Sequence, residues 1–179
     1  MKQGTKSLLF GAHQFLIHPI FVARAWKKLY GRYPRKLPTW IAFIVHDWGY
    51  WGCETMDGPD GTLHPHRGAC IVHDLFDAPG SEKWFRFCAG HSRTYAAMTN
   101  LKVSPLMPAD KFATVLMPLW LYVTLCWLSG EWQEYLARWI AAGTYPGEPN
   151  IISWARCLQA NWSRFSDVNA PAGQAYGGE

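Results

Sequence analysis

Charge is scarce in this chain. Asp, Glu, Lys and Arg make up 17% of its 179 residues, against roughly 25% in soluble domains, which leaves room for self-association into a homo-oligomer. Cysteine pairing is missing too. The five cysteines (Cys53, Cys70, Cys88, Cys126, Cys157) form no CxxC pair, and an odd number cannot close into a full set of disulfides, so a reducing cytoplasm is expected. The phosphate-cradling GxxxxGK[ST], the dinucleotide GxGxxG and the GxSxG elbow are all absent, and no serine or cysteine nucleophile is indicated. Gly52 to Leu63 holds the turn formers Asp57-Gly58 and Asp60-Gly61, but it lacks the ligand spacing and closing Glu of an EF-hand. It reads as a loop leading into the helix at His64.

A long membrane-spanning run is also lacking. The best candidate, Phe112 to Leu128, is uncharged but falls at the lower edge of the roughly 17–25 residues a spanning helix needs. Pro118 interrupts it, and Asp110-Lys111 and Glu131 flank it, so it is expected to be a core helix, with no membrane span. Lys2 and Lys6 precede an apolar stretch, but Gly11, His13 and Gln14 break it and no small-residue cleavage site follows, so no signal peptide is expected. The net charge of +4 is dispersed. Its densest group, Lys27, Lys28, Arg32, Arg35 and Lys36, reads as a solvated face able to attract anionic substrates rather than as a nucleic-acid groove.

What is present is aromatic and helical. Eleven Trp, nine Phe and eight Tyr promise an aromatic-heavy interior, and the length suits a single domain. Period-two alternation is rare, whereas helix punctuation recurs. Pro19, Pro38, Pro65 and Pro105 precede apolar-periodic runs, as proline does at a first helical position. The expected fold is all-α, a single-domain bundle of about 6–8 helices. Its helices would cover roughly 19–30, 38–51, 65–77, 81–100 (opened by Ser81), 105–128, 130–142 and 151–165, the last two capped by Ser129 and Asn150. The domain would run over 1–166, with 167–179 a polar, Gly/Ala/Pro-rich tail expected to be disordered.

Six residues stand out against this background: His18, the pair His46-Asp47, His64, His91 and Asp110. Imidazoles and carboxylates bind borderline divalent metals, and an adjacent His-Asp lets one carboxylate bridge two ions held by neighbouring histidines. His18 and His64 each precede a proline and so should stand at helix N-termini. His46-Asp47 should lie near the end of a helix, His91 within one, and Asp110 at the start of the long apolar one.

In this arrangement the chain resembles the HD-domain superfamily of helical, metal-dependent phosphohydrolases over roughly residues 8–128. The stretch from His18 to Ala25 is similar to the family's first-histidine helix, His46-Asp47-Trp48-Gly49 to its HD-x-G element, and Ala109-Asp110-Lys111 to its closing aspartate motif. The resemblance implies that His18, His46, Asp47 and Asp110 form a one-metal site. His64 in His-Pro-x-x-Gly-Ala and His91 resemble the additional histidines of the dinuclear branch, which includes the HD-GYP phosphodiesterases and mixed-valent di-iron oxygenases. Ile71-Val72-His73-Asp74 repeats Ile44-Val45-His46-Asp47, but that register leaves His18 and His64 without roles and lacks the glycine after the aspartate. Tyr50 stands where HD-GYP proteins carry Lys, and the GYP tripeptide is absent, so cyclic-di-GMP hydrolysis is not implied.

The resulting expectation is hydrolysis of a nucleotide or other small phosphoester by two divalent ions, Fe or Mn first, with Zn, Co, Ni or Mg as alternatives. Asp47 would bridge the ions, and a hydroxide formed between them would attack phosphorus. Lys111 or Arg93 would neutralise the transition state, while Glu54, Asp57 or Tyr50 would protonate the leaving group. Trp48, Trp51 and Tyr95, beside Tyr50 and Ser92, are the expected substrate contacts. A di-iron oxygenase attacking a C–H bond of a phosphonate or polyol is the alternative, since the ligand set is shared. A metal- or nucleotide-binding module without turnover is the third.

Overall fold

The computed structural model describes residues 1–166; the expected tail at 167–179 lies outside the described residues. Ten α-helices and three short 3-10 turns make up the described chain, which contains no strand. The helices are α1 (Gln3–Phe10), α2 (Ile17–Tyr30), α3 (Leu37–Val45), α4 (His64–Phe76), α5 (Lys83–Ala89), α6 (Arg93–Met98), α7 (Leu106–Leu116), α8 (Leu119–Ser129), α9 (Glu131–Ala141) and α10 (Ile151–Trp162). The all-α bundle is as the sequence indicates, but it has more and shorter helices than six to eight. Two expected helices are each divided.

The run 105–128 breaks at Met117-Pro118, where both residues are extended and the axes of α7 and α8 turn through 103°. Proline cannot donate to the preceding turn and pushes the residue before it out of the helical region. No single helix among the described residues is long and apolar enough to cross a membrane. The run 81–100 breaks at Gly90-His91-Ser92, where Ser92 starts a new helix by accepting from Tyr95 N at 3.2 Å. Ser81 stands at the start of α5 and its hydroxyl accepts from Lys83 N at 3.3 Å, while the Asp77 carboxylate accepts from the backbone N–H groups of Trp84 and Phe85. Asn150 caps α10 as expected, through Ser153 N at 2.9 Å. Left-handed Gly31 (φ 76°) and Gly130 (φ 77°) end α2 and α8, the backbone state in which glycine carries no Cβ penalty.

Packing brings the site elements together. α2 lies along α7, with Ala25, Ala109 and Ala113 wholly buried in the core; such small residues let two helices approach closely. α4 rests on α3 and α5, and α10 closes the bundle against α7 and α8. A Cβ on Gly68 of α4 would collide with the Val45 carbonyl, and one on Gly49 with the His64 carbonyl. These two glycines therefore allow the end of α3 and the start of α4 to touch. All five cysteines are free.

Candidate metal centre

Five segments supply the six expected ligands. His18 is the second residue of α2 and His64 the first of α4, where the side chain projects off a helix end. His46 closes α3, and Asp47 opens the 3-10 turn Trp48–Tyr50, so consecutive side chains point to one interior spot. Two placements differ from expectation. His91 occupies the turn between α5 and α6 rather than a helix interior, because Gly90 packs on the 102–104 backbone and Ser92 restarts the helix. Asp110 sits on the second turn of α7 rather than at its start, since Pro105 begins the helix one turn earlier. All six side chains are buried.

The six fall into two groups sharing one residue. His18, His46, Asp47 and Asp110 offer donor atoms within 4.8 Å of one another, as do Asp47, His64 and His91. The shared carboxylate divides its oxygens between them. Asp47 Oδ2 lies 3.1 Å from His46 Nε2 and 3.5 Å from His18 Nε2, whereas Oδ1 lies 3.5 Å from both His64 Nε2 and His91 Nε2. Asp110 Oδ1 completes the first group, 2.9 Å from His18 Nε2 and 3.5 Å from His46 Nε2.

The imidazoles are oriented by backbone carbonyls. Nδ1 of His46, His64 and His91 faces the oxygen of Phe43, Gly61 and Cys88 at 3.1, 2.7 and 2.8 Å. A carbonyl only accepts, so each Nδ1 carries the proton and each Nε2 is left with a lone pair toward the centre. His64 Nε2 and His91 Nε2 are nevertheless 3.0 Å apart. Two lone pairs at that distance need a cation between them. His46 Nε2 and Asp47 Oδ2, although 3.1 Å apart, are not directed into a hydrogen bond and are both unsatisfied. Convergent donors, two of them without a partner and three of the rings tied down at the other nitrogen, could hold a divalent metal.

Electrostatics favour the ligating form at His18 and His64, while His46 instead attracts a second proton that a metal ion would replace. Burial depresses the pKa of His18 and pushes that of His64 well down, favouring the neutral, ligating form. For His46 burial also acts downward, but the Asp47 and Asp110 carboxylates outweigh it and carry the pKa up to about 10. Burial would raise both carboxylates, yet His46 holds Asp47, and Lys111 with His18 holds Asp110, well below the usual range. The centre thus keeps two anionic carboxylates that demand positive charge.

A cavity of about 170 Å³ opens over the ligands. Of the other expected residues, Tyr50, Asp57, Ser92 and Lys111 line it. Tyr50 stacks on His64 with ring centroids 3.9 Å apart. Lys111 Nζ is 3.5 Å from Asp110 Oδ2 and 5.1 Å from the Trp162 ring centre. Asp57 is ion-paired to Arg138 Nη1 at 2.7 Å, and burial, exceeding that pairing, raises its pKa. Glu54, Trp48, Trp51, Arg93 and Tyr95 do not line it. Glu54 points outward to Lys2 at 2.9 Å, Trp48 and Trp51 are exposed, and Arg93 is half-buried at the start of α6. Tyr95 spends its hydroxyl on His66 Nδ1 at 2.9 Å. The repeated His73-Asp74 lies on the exposed side of α4, its members bonded to each other.

The sequence offers His13, five residues before His18, only as a supporting or structural residue and does not link it to Glu131. Glu131, fully buried, accepts from Ala12 N at 2.6 Å and from the Ser7 hydroxyl in a very short bond. His13 Nδ1 lies 2.9 Å from Ser7 Oγ and 3.3 Å from Glu131 Oε2. Ser7 gives its proton to Glu131, so its oxygen accepts from His13, which fixes the protonated Nδ1. The His13 ring lines the cavity, 5.0 Å from Tyr50 and 5.9 Å from His18 between centroids, and its Nε2 has no partner among the described residues. The one available signal was a solitary acid straight after a long uncharged run, which reads equally well as a helix N-terminal charge. The aromatic wall of Tyr122, Tyr135, Trp139, Trp154 and Trp162 was missed as well.

No protein-family model, curated protein or solved structure matches the chain.

Proposed function

We propose that the protein is an HD-type, metal-dependent phosphohydrolase acting on a small phosphoester, with iron or manganese as its first-choice metals. The observation that carries this reading is the division of Asp47: one carboxylate oxygen faces each of two histidine groups. Two divalent cations bound there would supply an acidified water and charge neutralisation for phosphoryl oxygens. The chain's own groups do the rest. Carbonyls of Phe43, Gly61 and Cys88 hold the imidazoles in their ligating tautomer. Lys111, at the cavity wall beside Asp110, stabilises negative charge on the substrate. His13, whose pKa the Asp47 and Glu131 carboxylates raise against burial, would carry a proton on Nε2 as well as the one Nδ1 holds toward Ser7 and Glu131, and could pass it to the leaving oxygen, a role for which Glu54 is too far outside. The cavity is smaller than the roughly 300–1,000 Å³ typical of drug-sized ligands, which favours a compact phosphoester over a nucleotide.

The test has two arms. Protein purified without added metal, then loaded anaerobically with Fe(II) or Mn(II), should bind two equivalents, and fewer than one would sink the dinuclear centre. A panel of phosphomonoesters and phosphodiesters should release phosphate or alcohol. If every phosphoester is inert while the iron-loaded protein consumes oxygen with a phosphonate or polyol, the oxygenase reading replaces the hydrolase.

A further inference from the structure

Helix α3 is apolar on the side it turns outward as well as on the side it buries. Its exposed residues are Leu37, Trp40 and Ile44, at i, i+3 and i+7, and the exposed Trp48 follows four residues later in the adjoining 3-10 turn. Thr39, its one polar residue, is buried. A surface helix ordinarily keeps polar residues on its open face, and a helix that is apolar all round is ordinarily covered. Leu37 is 61% exposed and Ile44 41%, so nothing among the described residues covers this one.

Positive charge gathers at one end of the same face. The last turn of α2 and the loop into α3 carry Lys27, Lys28, Arg32, Arg35 and Lys36, all exposed and none in an ion pair among the described residues. Lys27 Nζ lies 5.0 Å from the Tyr33 ring centre, and Tyr33 stacks on Trp40 at 6.0 Å, which joins the cations to the α3 face. Lys36 reaches the Trp84 ring on α5, where Lys83 adds a further cation. Residues 1–46 hold eight Lys and Arg and no Asp or Glu, whereas the remainder of the chain holds nine against thirteen. The surplus of positive charge therefore belongs to the segment that builds this face.

We propose that this face docks on an anionic lipid bilayer, with the α3 side chains entering the headgroup boundary and the cations resting on acidic headgroups. Tryptophan and leucine beside lysine and arginine is the composition of segments that lie in that boundary. Nucleic acid is held largely through hydrogen bonds; Leu37 and Ile44 offer none, and Trp40 spends its N–H on the Pro34 carbonyl at 3.0 Å. A second copy of the chain would bring cations against cations, since the first exposed acid after this face, Glu54, is already paired with Lys2. Docking of this kind is independent of the reaction at the metal centre.

The experiment is co-sedimentation of the full chain with vesicles. Wild type should bind phosphatidylcholine vesicles containing about 30% phosphatidylserine at least about 10-fold more tightly than phosphatidylcholine alone, a preference that shrinks as salt rises from about 0.1 to about 0.5 M. Arg32→Glu with Arg35→Glu should weaken binding to the anionic vesicles at least about 10-fold, since each cation near the surface contributes about 5-fold. Leu37→Ser with Ile44→Ser should weaken it about 10-fold through lost apolar insertion. Trp127→Ser, at a 66% exposed tryptophan on the uncharged α8, should bind as wild type does. Circular dichroism checks each fold, and Leu37→Ser alone replaces the pair if the double variant unfolds, with an expected loss of about 3-fold. Equal binding to both vesicles, binding to neither, indifference to either pair of substitutions, or an equal loss in Trp127→Ser overturns the inference. Should wild type instead sediment as a dimer that Leu37→Ser with Ile44→Ser dissolves, or hold a single-stranded oligonucleotide or polyglutamate through Arg32 and Arg35, that partner occupies the face and the lipid assignment fails.

Discussion

The two ends of the cavity are built on different plans. At the metal end six side chains from five segments converge with their free nitrogens and oxygens aimed inward, and backbone carbonyls three residues upstream lock three of the rings. At the other end α8, α9 and α10 contribute stacked aromatic rings, among them three tryptophans, and Arg138 of α9 pairs with Asp57 of the 52–63 loop. The first end has too many donors for a core and the second nearly too few for a binding site. On the proposed reading, chemistry would belong to the floor and the choice of substrate to the wall. Substitutions at the floor should remove metal and turnover together, whereas those at the wall should move selectivity alone.

The sharpest way to break that contrast is Asp47→Ala. It removes the only carboxylate that serves both groups, leaving His64 and His91 with no anion to offset a cation and His18 and His46 with Asp110 alone. Turnover should fall by at least about 10³-fold, as when a group on which the whole apparatus depends is lost. Bound metal, measured by elemental analysis, should drop below one equivalent. Retention of two equivalents would mean that Asp47 does not bridge.

A finer cut separates the two groups. His91→Ala leaves the four-donor set of His18, His46, Asp47 and Asp110 intact while reducing the other to Asp47 and His64. One equivalent should remain and one should be lost, with activity down by about 10²-fold or more. Were both ions lost, the groups would have to be read as a single cooperative site.

Why the floor was legible in the sequence and the wall was not follows from how each is encoded. His18-Pro19 and His64-Pro65 mark helix starts locally, and adjacency places His46 and Asp47 at one spot whatever the rest of the chain does. Gly49 and Gly68, visible as parts of short motifs, are the points where the α3 end and the α4 start touch. Helix breaks were harder. Apolar periodicity runs on through Pro118 and past Gly90, so the 103° turn and the turn carrying His91 emerge only when packing is known. The wall draws on Tyr122, Tyr135 and Trp154, whose spacing is that of ordinary core aromatics and gives no sign of a shared cavity. His13 and Glu131 are 118 residues apart, and nothing local links them.

That distant pair offers the next test. Glu131→Gln keeps the shape but removes the anion to which Ser7, Ala12 N and His13 donate. Losing a buried charge with several donors should cost about 2–4 kcal/mol, or roughly 6–12 °C in Tm for a chain of this size. The effect should depend on pH in a set direction. Burial would raise the Glu131 carboxyl, but the bonds from His13, Ala12 and Ser7 outweigh it and hold the pKa below its ordinary value of 4.5. A depressed pKa contributes stability above that ordinary value and loses it as the pH falls through the lowered one. The gap between wild type and variant in thermal unfolding should thus be wide at neutral pH and close on acidification. A gap that widens in acid would contradict the assigned network.

The smallest effect should come from Glu54, which makes it the control for the whole contrast. It lies in the loop that also carries Asp57, only three residues away, yet the two face opposite directions. Asp57 lines the cavity against Arg138 and its neighbouring backbone is tied to Glu134 on α9, whereas Glu54 is 68% exposed and paired with a Lys2 that is itself 51% exposed. An exposed pair contributes little, because solvent screens it, and no part of it reaches the cavity. Glu54→Gln should leave metal content and kcat/KM unchanged and shift Tm by no more than about 2–3 °C. A loss of turnover at Glu54 with two metals still bound would show that the loop turns inward during the reaction, and the division of labour between floor and wall would then have to include it.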